Sequence, residues 1–140
     1  MKLVTTFLLA WGAGLAAYLG GLALFYEESI SSGDLNALLP TSFAATAVAL
    51  VALYLPALAG LKRLMHGVRP MWAFPLLAML LGVVPTAMVL LYWGGGLGSL
   101  ISPEASLFYS MFAAVGIVTG LGYALAYGQD SLIQDREAEL

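Results

Sequence analysis

The chain has 140 residues, 61% hydrophobic and 9% charged, with a formal net charge of −3 and a mean hydropathy of +0.94. Soluble domains carry about 25% charged residues, so this chain has too little polar surface to face water and lipid has to be its solvent. Five basic residues cannot neutralise a phosphate track, which argues against nucleic acid as a partner, and the lack of cysteine removes disulfides, thiolate metal sites and cysteine nucleophiles.

Four apolar runs follow one another, 3–26, 40–61, 71–93 and 103–127. A hydrocarbon core of ~30 Å needs about 20 helical residues, so each run is long enough to cross. The one charge in any of them is Glu104, at the start of the fourth. Four segments are too few to close a barrel, and lipid satisfies no backbone polar group, so each run must be helical. The predicted fold is an all-α integral membrane domain over 1–140, an up-down-up-down bundle of four transmembrane helices. Its outer loops are 27–39 and 94–102, its inner loop is 62–70, and its tail is 128–140.

The first run is too long for the apolar stretch of a cleaved signal peptide, roughly 7–15 residues, and is expected to stay as a span. It carries two adjacent rows of small residues four apart. One is Gly12, Ala16 and Gly20; the other is Ala13, Ala17 and Gly21. Such rows let helix backbones approach closely in lipid. The loop after it holds Glu27, Glu28 and Asp34. Asp34 is expected to cap a short surface turn over 35–39, and Pro40 to open the second span, where a missing N–H costs nothing. That span adds Ala45, Ala49 and Ala52, and Pro56 is expected to bend its far end.

The segment 62–70 holds Lys62, Arg63 and Arg69 together with the lone histidine, His66. With four spans this loop and both chain ends share one side, and that side carries every basic residue, Lys2 and Arg136 included. The positive-inside rule then places both termini in the cytoplasm, with the protein multi-pass in the cell (inner) membrane. Lys62, Arg63 and Arg69 are candidate contacts for anionic lipid headgroups or an acidic partner. One histidine in a loop supplies neither a haem ligand pair nor a metal site, and no cofactor is expected.

The third run has few small residues and two prolines, Pro75 and Pro85. Pro85 removes the hydrogen bond to the Leu81 carbonyl, so a kink is expected there. The glycine-rich stretch 94–99 lacks the Gly-Lys-Ser/Thr ending of a phosphate loop and is expected to be a flexible connection. Ser102 before Pro103-Glu104 has the pattern of a helix cap with a carboxylate in the first turn. In the fourth run Gly116, Gly120, Ala124 and Gly128 form another row of small residues. Rings at 25, 26, 92, 93, 108 and 109 fall at one predicted interface and those at 72, 74 and 127 at the other, as an aromatic belt requires.

Counting from the middle of each run places Tyr18, Thr46, Thr86 and Ser110 at one depth, a candidate polar layer. No run holds an ionisable side chain near its centre, which proton- and ion-coupled transport commonly needs. No nucleophile and base share a workable spacing, so no enzymatic activity is expected. The leading expectation is a non-catalytic subunit in a larger membrane complex. Its packing interface would be Gly12, Ala16 and Gly20, or Gly116, Gly120, Ala124 and Gly128, set against a partner membrane protein or a second copy. The alternative is a small oligomeric channel or facilitator passing a neutral or weakly polar solute through the polar layer.

Overall fold

The computed structural model describes residues 2–26, 31–64, 72–94 and 96–128. Among them are four helices long and apolar enough to cross a membrane: α1, Lys2–Phe25; α2, Ser32–Leu64; α3, Ala73–Trp93; and α4, whose span is Pro103–Ala126 and whose helix continues to Gly128. Their large apolar side chains are widely exposed, for example Val4, Leu8, Val48, Val51, Val84 and Met88. Such a surface matches the apolar length of the helices and is suited to hydrocarbon as solvent. His66, Arg69 and the tail residues 129–140 lie outside the described residues, as do Glu27 and Glu28.

α4 is the centre of the molecule and packs along its length between α1 and α3. On one side Thr6, Gly14 and Gly21 of α1 lie against Gly122, Val115 and Leu107. On the other, Pro75, Ala78 and Gly82 of α3 lie against Gly120, Gly116 and Phe112. In both series one number rises as the other falls, so α1 and α3 each run antiparallel to α4. Close approach is the reason for glycine here. A Cβ at Gly116 would run into the carbonyl of Ala78, and one at Gly120 into Pro75 Cα. Both obstacles are backbone or ring atoms that cannot swing aside. The rows of small residues noted in the sequence lie in the first, second and fourth runs, with few small residues in the third. The third is a close partner of α4, because it too brings small residues to the seam, Ala78 and Gly82 four apart, which meet the Gly116 and Phe112 backbone.

α2 packs differently. Its first part touches α1, its middle touches α3 and α4, and its last part touches α3. It therefore crosses the α1–α4–α3 layer obliquely rather than lying along one neighbour. At 33 residues and ~1.5 Å each it is about 50 Å long, well over a ~30 Å core, and tilt accommodates such an excess. Of its alanine row, Ala45 and Ala52 are exposed and Ala49 alone packs against the core. Leu50, Tyr54 and Leu58 bury α2 in the core, and two polar-aromatic contacts tie its first part to α1. Trp11 Nε1 donates to Ser42 Oγ at 3.1 Å. The Phe43 ring also meets Phe7 and Trp11 edge-on, with centroids 5.0 and 5.3 Å apart.

The helix boundaries follow local chemistry. α2 starts eight residues before Pro40, because Ser31 Oγ accepts from the Asp34 N–H at 3.2 Å and donates to the Asp34 carboxylate at 2.6 Å. Ser31, not Asp34, is the cap, and Pro40 lies inside the helix. Within α2, residues Leu50–Tyr54 form a π turn in which Leu55 N–H bonds to Leu50 O. Pro56 stands two residues after it, and a wider turn accommodates a proline ring against the preceding carbonyls. Pro75 falls in the first turn of α3, where it interrupts nothing. At α4, Ser102 Oγ accepts from Ala105 N–H at 3.1 Å, with Glu104 in the first turn. Within the glycine-rich connection Gly95 lies outside the described residues. Leu97–Ile101 form a 3-10 turn after Gly96 at φ 112°, and Ser99 Oγ ties it to the Leu90 and Gly96 carbonyls, each at 2.7 Å.

Candidate functional site

The two candidate packing rows have opposite fates. On α4, Gly116 and Gly120 are buried against α3, and Ala124 is buried too. The Gly128 backbone ends α4. On α1, Gly12 and Ala16 are exposed, and a Cβ built on Gly12 or Gly20 meets nothing within 4 Å. The neighbouring row faces inward: Gly21 lies against Leu107, 2.5 Å from where its Cβ would stand. So α1 presents one row of small residues to α4 and leaves the other uncovered.

The four residues of the candidate polar layer are placed as follows. Tyr18 sits against Phe108, with ring centroids 5.8 Å apart, so it is level with Ser110. Thr86 lies one turn beyond Gly82, whose neighbour across the seam is Phe112, and it shares that level. Thr46 does not. It is one turn from Ser42, which bonds Trp11, two turns of α1 away from Tyr18. Thr46 is buried, Tyr18 and Thr86 are half-buried and Ser110 is exposed. Each Ser or Thr hydroxyl donates to its own helix. Thr46 bonds Ser42 O at 2.8 Å, Thr86 bonds Gly82 O at 2.7 Å, and Ser110 bonds Leu107 O at 2.8 Å. Backbone carbonyls of this kind are the usual acceptors for hydroxyls in lipid.

Two features escaped the sequence. The first is Tyr54, fully buried in the π turn, whose hydroxyl has no hydrogen-bond partner among the described residues. It lies beside Gly82, where a Cβ would stand 2.7 Å from the Tyr54 oxygen and 2.8 Å from Phe112 O. Nothing in an apolar run marks which tyrosine turns inward. The second is a cleft of about 240 Å³ between α1, α4 and the middle of α2, with Lys2 and Ala126 among its lining residues. Of the three basic contacts expected to meet headgroups, Lys62 and Arg63 are exposed in the last turn of α2 and Arg69 is outside the described residues. Among the described residues no three His, Cys, Asp or Glu side chains gather at a point. Comparison with protein families, curated proteins and solved structures returns no match.

Proposed function

We propose that the protein is a non-catalytic subunit of a larger membrane assembly, docking through the Gly12–Ala16–Gly20 face of α1. The observation that carries this reading is the open space at Gly12 and Gly20, set against the consumption of the α4 row inside the molecule. In lipid no hydrophobic drive pulls helices together, so a backbone left bare for close approach is the main attraction a span can offer. The proposed arrangement keeps both termini in the cytoplasm and the protein in the cell (inner) membrane, since the basic residues fall on that side of a four-span chain.

The test is recovery from the native membrane in mild detergent. A partner at stoichiometric amounts is expected with the unaltered protein and not with Gly12→Leu or Gly20→Leu, while the melting of the subunit itself is unchanged. A chain that runs alone, with nothing captured by cross-linking before extraction, rejects the proposal. The second reading, a facilitator for a neutral solute, draws on Tyr18, Thr86 and Ser110 sharing a level. Flux into proteoliposomes that falls with Thr86→Val and Ser110→Val would favour it.

A further inference from the structure

The cleft at the Lys2 end has a rim and an inner end of different character. Lys2 and Ala126 lie at the rim, where the first turn of α1 meets the last turns of α4. Thr6 and Thr119 stand further in, and Leu3, Gly122, Tyr123 and, from α2, Leu50 and Leu55 make up the rest of the lining. Along α4 the lining from Ala126 to Thr119 is seven residues, or about 10 Å. The inner hydroxyls are already engaged: Thr6 Oγ1 donates to Lys2 O at 2.9 Å and Thr119 Oγ1 to Val115 O at 2.7 Å. Both hydrogens are committed to backbone, and apart from these two oxygens and the Tyr123 ring with its hydroxyl the inner lining is aliphatic or glycine. The rim carries a cation. Of the described carboxylates, Asp34 is engaged by Ser31 and Glu104 sits in the first turn of α4, 22 residues from Ala126.

We infer that this cleft holds one anionic phospholipid of the surrounding bilayer, with its phosphate at the Lys2 ammonium and part of one acyl chain between α1, α4 and Leu50–Leu55. Size agrees with this occupant. Pockets that enclose a whole drug-sized ligand measure about 300–1,000 Å³. About 240 Å³ admits a length of chain and leaves the headgroup outside, beside the lysine. The site is distinct from the open face of α1 and does not depend on the proposed docking role.

The experiment is lipid retention by the purified protein, read by native mass spectrometry during titration with phosphatidylglycerol or with phosphatidylcholine of the same chains. One phosphatidylglycerol is expected to bind about fivefold more tightly than phosphatidylcholine, the worth of one lysine near an anionic surface. Lys2→Gln, an exposed change that leaves the packing intact, is expected to remove that preference and keep chain binding. Ala126→Trp is expected to block both lipids by filling the cleft, with circular dichroism confirming an unchanged helix content. Equal retention of the two lipids by the unaltered protein overturns the inference, as does a preference that survives Lys2→Gln. Displacement of phosphatidylglycerol by millimolar inorganic phosphate also overturns it, since that would mark a small-anion site.

Discussion

The indole N–H of Trp11 reaches across to Ser42 Oγ at 3.1 Å, and the Ser42 hydroxyl in turn donates to Leu39 O at 3.1 Å. This relay ties the first half of α2 to α1, where Ala44 and Ala45 are exposed. Hydrogen bonds between helices in lipid average ~0.6 kcal/mol and reach ~1.7 at most. Trp11→Phe keeps the ring against Phe43 and loses the donor, and Ser42→Ala loses the acceptor. Each is expected to cost about 0.6–1 kcal/mol in detergent unfolding. The double variant should cost no more than either alone, and strict additivity would show that the two groups do not interact.

The seam between α3 and α4 should tolerate no enlargement. Gly116→Leu and Gly120→Val place carbon against backbone that cannot move aside, so the helices must separate, at about 2–3 kcal/mol or more. Gly12→Leu, on the uncovered face, should leave the unfolding midpoint of the isolated protein unchanged. Equal loss at Gly12 and Gly116 would mean that the α1 face is covered within the subunit.

Tyr54 offers the opposite sign. Its hydroxyl is buried without a partner, and leaving such a group unsatisfied costs about 1–3 kcal/mol. Tyr54→Phe keeps the ring and removes the orphan, and is expected to raise stability by about 1 kcal/mol. A drop on the same change would reveal a hydrogen bond to a group other than the described residues, such as a trapped water.

Placement of the loops is open to direct labelling, because the chain has no cysteine to remove first. Single cysteines at positions 66 and 97, probed in intact cells with a membrane-impermeant reagent, are expected to differ. Position 97 should react from outside and position 66 only after lysis. The reverse pattern would invert the proposed orientation and leave the packing untouched.

Particular residues show what was legible in the sequence. Apolar length alone gave the four spans, because an apolar run of over twenty residues has one stable solution in lipid. The Ser102 cap was legible because the pattern is local. The start of α2 was not, although Ser31 and Asp34 stand at cap spacing. Pro40 looked like a first helical residue and outweighed them. The pairing of α3 with the Gly116–Gly120 row was hidden for a different reason. On α3 the mark is a single pair of small residues four apart, Ala78 and Gly82, too short to stand out as a row beside two prolines. Nor does an apolar segment with scattered alanines say whether it lies along its neighbours or across them; that depends on a few side chains such as Trp11 and Tyr54.

The central place of α4 has a consequence for how the protein is made. The helix that α1 and α3 both need along their lengths is the last of the four to leave the ribosome. Until it enters the bilayer, the earlier three have little to hold one another beyond the grip of α2. Nascent chains halted before Pro103, the first residue of α4, should therefore leave their spans loosely associated and open to quality-control proteases. Final assembly should then occur in one late step, when α4 slides in between helices already waiting in the membrane.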